Sequence, residues 1–269
     1  MKTVLICHHD DDLNARALPR WLGSFSEVAG IVSIEEKSQQ KKNRVKREIK
    51  RLGYLRFLDV IAYRLFHRFF VHAGDVAYET RLLDDLKTRY PALPANIPVL
   101  TTASPNSPET IKFLQDVGPD LMIARCKVIL KPEVFSAARL GTYVMHPGIC
   151  PEYRNAHGCF WALAESDLDR VGMTLLKVDK GIDTGPVFGF FTYSYDEVAD
   201  SHVTIQHKTV FENLDRIRDK FLEIEQGTAV RIDTTGRKSG NWGQPWLTRY
   251  LRWKKAAKAR ASAKTFARA

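Results

Sequence analysis

Two side chains in this 269-residue sequence have the type and setting that acid–base chemistry needs, His146 and Asp183. His146 ends a short apolar run, Thr142-Tyr143-Val144-Met145, and is followed at once by Pro147-Gly148-Ile149-Cys150-Pro151. Proline fixes φ and removes a backbone donor, while glycine reaches conformations closed to other residues, so this loop is stiff and can turn sharply. A titratable group carried by a strand end into such a loop sits where open α/β sheets place their chemistry. An imidazole there can donate to an oxyanion or shuttle a proton; the plainer reading is a histidine that tops a strand. Asp183 lies between Gly181 and Gly185, in a loop that follows a strand ending at Val178. A carboxylate in that setting could bind a cation, cap a turn or act as a base. Cys150 is either a conceivable nucleophile or a small buried hydrophobe.

The elements that must hold these loops follow from hydrophobic patterning. Residues 2–7 read as a strand, 10–23 as a helix opened by Asp10 to Asp12, and 27–33 as a second strand, the opening of a parallel α/β sheet. A basic helical insertion spans 36–72, and a further helix covers 75–89. Pro91, Pro94 and Pro98 then break the chain before a short strand at 99–101. A helix from Ser107-Pro108 to Val117, a buried strand at 121–124 and a short helix at Lys131-Pro132-Glu133 precede the His146 strand. Beyond it come a helix at 157–165, strands at 172–178 and 187–193, and one last helix over 203–226 capped near Gly227. Residues 231–248 read as irregular, and 249–269 as a solvated, partly helical or disordered basic end. The expected division is a catalytic unit at 1–230 and an extension at 231–269.

Composition narrows the class. Hydrophobic residues make up 44% and charged residues 27%, ordinary for a soluble protein. Four cysteines in no paired or metal-ligand spacing read as reduced thiols, and with no apolar stretch long enough for a leader or a span the expectation is a cytoplasmic protein without a metal. The net charge of +10 is uneven: residues 41–51 carry +6 and residues 249–269 carry +8, which leaves −4 on the remainder. A mildly acidic body with two basic segments does not fit a surface devoted to nucleic acid, but 41–68 and 249–269 could make weak contact with a polyanion or an anionic membrane.

The stretch from His146-Pro147-Gly148 through Tyr153-Arg154, with Gly172-Met173-Thr174 and Asp179-Lys180-Gly181-Ile182-Asp183-Thr184-Gly185-Pro186, resembles the folate-dependent formyltransferase family. That family includes glycinamide ribonucleotide, methionyl-tRNA and sugar N-formyltransferases, and the run Tyr153 to Trp161 is most similar to the sugar and small-molecule branch. The resemblance implies a Rossmann-like sheet and transfer of a formyl group from 10-formyltetrahydrofolate to an amine, with His146 and Asp183 as the catalytic pair. It also implies a folate-side wall that includes Arg125, Lys127, Ile129, Leu130 and Gly181. Where the family carries its catalytic Asn this chain has Val144; where it usually carries a strand His it has Leu176; the Gly after Tyr-Arg is Asn155. Three readings absorb these exchanges. His8, His9, Tyr143 or His157 replaces the missing donor and formyl transfer to a small amine such as an amino-sugar survives. Alternatively, the pair serves hydrolysis or another acyl transfer, or the chain binds a ligand without catalysis. The chain after residue 230 lacks the strand alternation of a tRNA-binding barrel, so no specific nucleic acid is expected.

Overall fold

The computed structural model describes residues 1–92 and 95–266; Pro94 and the final tail residues, both named in the expectations above, lie outside the described residues. In chain order the elements are β1 (Lys2–His8), a π-turn at Leu13–Ala17 running into α1 (Leu18–Gly23), β2 (Glu27–Ile34), α2 (Ser38–Leu52), α3 (Tyr54–Phe70) and α4 (His72–Arg89). Next come β3 (Val99–Thr102), α5 (Pro108–Val117), β4 (Leu121–Arg125), α6 (Pro132–Phe135), β5 (Gly141–His146), β6 (Arg154–Asn155) and α7 (Gly158–Ala164). The chain finishes with β7 (Met173–Lys177), β8 (Val187–Phe191), α8 (His202–Phe211), α9 (Leu214–Gln226), β9 (Asn241–Trp242) and α10 (Leu247–Phe266).

Seven strands form one sheet in the order β3-β2-β1-β4-β5-β7-β8. The first five run parallel, and β7 and β8 add an antiparallel edge. The central strands are apolar on both faces because helices cover both: Leu121 to Ala124 of β4 are all buried. One face packs Leu5, Trp21, Tyr143, Met145 and Phe221; the other packs Val4, Ile6, Leu114, Met122 and Val134. The chain order reverses between β1 and β4, and at that reversal the carboxyl ends of neighbouring strands diverge into a crevice. His8, Arg125 and His146 terminate β1, β4 and β5 along this edge.

Local chemistry explains the well-read elements. Ser107 caps α5 by accepting from the Thr110 amide at 3.3 Å, Pro108 occupies its first turn, and Gly118 (φ +60) ends it. Gly53, at φ +77, breaks the basic insertion into α2 and α3.

Three expectations change. The single helix over 203–226 is two, because the buried Asn213 side chain donates back to the Thr209 and Thr192 carbonyls and turns the chain between α8 and α9. The segment 231–248 is not wholly irregular: β9 pairs in parallel with β6. The basic end is not a solvated appendage but α10, whose Tyr250, Trp253 and Ala257 are buried against Tyr63, Phe160 and Ile205. Its aromatic and alanine positions supply an apolar seam that the charge count concealed. Trp253 is 1% exposed and its indole Nε1 donates to Glu197. Replacing it with Ala should therefore remove about 3–5 kcal/mol of stability, read by urea denaturation. A loss below about 1 kcal/mol would show that α10 is peripheral to the core.

Candidate active site

β5 delivers His146 into a loop that doubles back on itself. Gly148 and Gly158 meet across this loop so closely that a Cβ on Gly148 would lie 2.8 Å from the Gly158 Cα and 2.5 Å from the Tyr153 carbonyl oxygen. No residue but glycine fits such an approach of two backbones. The fold-back aims the Tyr153 carbonyl at the imidazole, which is 2.8 Å away at Nε2. A carbonyl oxygen only accepts, so Nε2 carries the hydrogen. The other ring nitrogen, Nδ1, faces Asp183 Oδ2 at 3.4 Å.

Asp183 is held from two sides. The Asn155 amide donates to its Oδ2 at 2.8 Å, and Arg154 donates to the Ile182 carbonyl at 2.8 Å. Its own loop is closed by a different carboxylate, Asp179, which accepts from the Gly181 amide and from Thr184 Oγ1. The turn-capping role therefore falls to Asp179, and Asp183 is left with Oδ1 free of partners among the described residues. Its backbone (φ +51) and that of Asn155 (φ +77) are left-handed, conformations that Asn and Asp tolerate better than other side chains.

The focal loop is buttressed by the C-terminal segment. Trp242 stacks between Tyr153 and Trp161, with ring centroids 5.7 Å and 4.7 Å away, and donates to the Glu152 carbonyl at 2.8 Å. Asn155 Nδ2 donates to the Trp242 carbonyl at 2.6 Å. This support escaped the sequence reading, since a two-residue strand carries no periodicity; the tryptophan itself was the available signal.

The expected folate-side residues separate into two groups. His8 Nε2 accepts from the Lys127 amide at 3.0 Å, and Asn106 clamps the loop beyond by donating to the Ile129 carbonyl and accepting from the Lys131 amide. The Lys127 and Ile129 side chains are exposed on this clamped loop, and Gly181 is exposed on the opposite one. Leu130, by contrast, turns into the core with Val134 and Leu114, so its side chain is not part of a wall. The Arg125 guanidinium is spent inside the protein, donating to Asn14 Oδ1 at 2.9 Å and to the Met145 carbonyl; it ties β4 to the end of β5 and is not aimed outward. Burial lowers its pKa.

Of the four proposed substitutes for the family Asn, Tyr143 is excluded, because its hydroxyl donates to the Leu140 carbonyl on the far face of the sheet. His9 sits 3.4 Å from Ser33, and His8 already accepts from Lys127. His157 remains: it precedes α7 in a left-handed conformation (φ +55), and its Nδ1 is buried without a partner. Burial, with the charges of Lys127 and Arg64, pushes its pKa down to about 4. Burial also lowers the pKa of His8, and Lys127 adds to the effect. Cys150 is buried and its thiol pKa is raised by burial and by Asp183, which removes it as a nucleophile. Val144 and Leu176 are cross-strand neighbours and form, with Cys150 and Val187, a small aliphatic cluster beside the pair. Among the described residues no group of three His, Cys, Asp or Glu could hold a metal, and no helix is long and apolar enough to cross a membrane.

The formyl transferase family model matches residues 79–214, half of the chain and the part that holds β3 to α8. The chain belongs to the formyl transferase family. Among curated relatives, methionyl-tRNA formyltransferase of Thermotoga sp. (strain RQ2) is 30% identical over 137 residues, which are 51% of this chain and 39% of that protein. The match thus spans well under half of that relative's length. Among solved structures, a sugar N-formyltransferase from Shewanella sp FDAARGOS_354 aligns with TM-score 0.55 at 12% identity, over 96% of this chain and 88% of that one. Phosphoribosylglycinamide formyltransferase from Anaplasma phagocytophilum aligns with TM-score 0.54 at 12% identity, over 89% and 97%. At such identities the likeness speaks to the fold, a mainly parallel Rossmann-like sheet.

Two outcomes follow for this candidate site. Gly148→Ala should cost about 1–3 kcal/mol by overpacking the backbone contact, measured by urea denaturation; a change within 0.5 kcal/mol, about what an ordinary surface substitution gives, would mean that the loop yields freely. The second outcome concerns pH. His8, His157 and His202 all have folded pKa values below their unfolded ones because burial disfavours the charged ring. The unfolded chain therefore binds protons first, and stability should be level above pH 6.5 and fall as pH drops from there toward about 4. Thermal melts at stepped pH check this, and His202→Phe should make the decline shallower; parallel curves would refute the assignment.

Proposed function

We propose that this formyltransferase moves a formyl group from 10-formyltetrahydrofolate to the amine of a small molecule, with an amino-sugar as the acceptor class. The observation that carries the reading is the His146–Asp183 pair, 3.4 Å apart, with one carboxylate oxygen left without a partner among the described residues. The acceptor class rests on the run Tyr153 to Trp161 and on a fold alignment that covers 96% of the chain with a sugar N-formyltransferase.

The folate supplies an activated formyl carbon. Its flat ring and aminobenzoyl arm suit the exposed Ile129, and its glutamyl carboxylates suit the Lys127 ammonium, so the residues present fit the group. The carbon gains a bond to the acceptor nitrogen and loses its bond to the folate nitrogen. Asp183 takes the proton that the acceptor amine sheds, and that proton ends on the departing folate nitrogen. His146, fixed at Nε2 by the Tyr153 carbonyl, faces Asp183 through Nδ1 and orients its carboxylate for this step. Val144 has no hydrogen to offer an oxygen that gains negative charge, and His157, with its unpartnered ring nitrogen, is the residue assigned to that task.

The aliphatic cluster of Val144, Leu176, Cys150 and Val187 favours one competing reading, a site turned to a different acyl group or to hydrolysis. Mass spectrometry of amino-sugar nucleotides incubated with 10-formyltetrahydrofolate separates the two. Asp183→Asn should lower formamide production by roughly 10²–10⁴-fold, the usual worth of a positioned base. Absence of product from the unmodified protein, with product appearing in Val144→Asn, would establish the competing reading instead.

A further inference from the structure

Helix α3 has two apolar faces. Phe57, Val60 and Tyr63 are buried, and Phe66 packs on Tyr250 of α10 with ring centroids 5.5 Å apart. On the opposite side Tyr54, Leu58, Ile61, Leu65 and Phe69 recur at spacings of four, three, four and four, the period of a single helical stripe. All five are exposed, as are Leu55 and Phe70, whose relative exposures reach 86% and 76%. Scattered apolar residues on a surface are ordinary, but a continuous stripe along a seventeen-residue helix marks an interaction surface.

The charges around the stripe identify what it meets. Within α3 the sole acid is Asp59, and it is spent capping α10, where it accepts from the Thr248 amide at 3.1 Å and from the Thr248 hydroxyl. Arg64 and Arg68 border the stripe and are exposed. The preceding helix, α2, presents Lys42, Lys46, Arg47 and Lys50 to solvent with no acidic partner among the described residues. α10, packed along α3, exposes Leu251, Arg252, Lys255 and Lys258. A second copy of the chain would bring two such basic sets together, and repulsion argues against it. A nucleic acid would satisfy the cations but leave the Leu, Ile and Phe side chains in water. An anionic bilayer answers both, since hydrocarbon takes the stripe and headgroups take the flanking cations. Neither α2 nor α3 lies within residues 79–214, so the surface is separate from the part that identifies the family.

We infer that α3, flanked by α2 and α10, docks this protein on the surface of an anionic phospholipid bilayer, with the Tyr54–Phe69 stripe in the interface. The inference does not depend on the reaction at Asp183, and its test needs no substrate. The full chain is to be sedimented with vesicles of equimolar phosphatidylcholine and phosphatidylglycerol and with vesicles of phosphatidylcholine alone. The expected result is binding to the anionic vesicles, at least about tenfold weaker to the neutral ones, and weakened by salt. Lys46→Glu should lower the affinity roughly fivefold or more, the worth of about one cation near a charged surface. Leu58→Gln combined with Leu65→Gln should abolish pelleting while leaving the thermal melt and the affinity for heparin unchanged, because both positions face solvent and neither exchange alters the charge. Failure of the unmodified protein to pellet overturns the inference. So does a dimer in sedimentation equilibrium that the same double substitution dissociates, or heparin binding without vesicle binding.

Discussion

The hydrogen bond from His146 Nε2 to the Tyr153 carbonyl is the constraint from which the rest of the site follows. It requires the chain to leave β5, travel a few residues and return within contact of its own start, which only the Gly148–Gly158 approach permits. Once the chain has returned, Arg154 and Asn155 are placed to hold the Asp183 loop by its backbone and by its carboxylate. Trp242 then fills the outer side of the turn. A hydrogen bond of this kind adds only about 1 kcal/mol by itself, so its importance lies in what it aligns.

The sheet supplies the second constraint. Parallel strands β1, β4 and β5 end on one edge, and their last residues converge as His8, Arg125 and His146. β7 returns antiparallel to β5, pairing His146 with Thr174, whose hydroxyl donates to the Gly148 carbonyl at 2.7 Å and accepts from the Cys150 amide at 2.9 Å. The antiparallel turn at the sheet edge therefore does two things at once. It staples the histidine loop from below through Thr174, and it leads the chain to Lys177, opposite Tyr143 near the start of β5. The 178–186 loop must then fold back along β5 to bring Asp183 within 3.4 Å of His146.

How much of this was legible before the structure depended on range. Strand alternation, the Ser107-Pro108 helix start and the Gly118 and Gly227 ends are signals within a few residues, and the sheet class and the two loops were read from them. The roles of Arg125 and Leu130 could not be, because adjacency to a loop in sequence says nothing about which way a side chain turns. Arg125 finds the Met145 carbonyl twenty residues away, and Leu130 finds the core. The basic end misled for a related reason. Eight cations in residues 249–269 suggested a solvated tail, yet the spacing of Tyr250, Trp253 and Ala257 was a helical seam in plain view. Net charge describes the outer face of such a helix, and the buried face decides where it goes.

The same lesson applies inside the crevice, where the pair is held by polar contacts and its neighbours are aliphatic. Asp183 accepts from the Asn155 amide, Arg154 donates to the Ile182 carbonyl, and the glycine contact holds the loop that carries both donors. Beside it, Val144 and Leu176 are cross-strand neighbours that pack together with Cys150 and Val187. A polar side chain at either position alone would face an aliphatic neighbour, and a buried polar group left without a partner costs about 1–3 kcal/mol. The two aliphatic residues thus form one matched patch in the wall, and a polar exchange at one position calls for a partner at the other. Hydrogen bonds fix where Asp183 sits while apolar packing sets the wall beside it, so the two halves of the crevice are held by different forces.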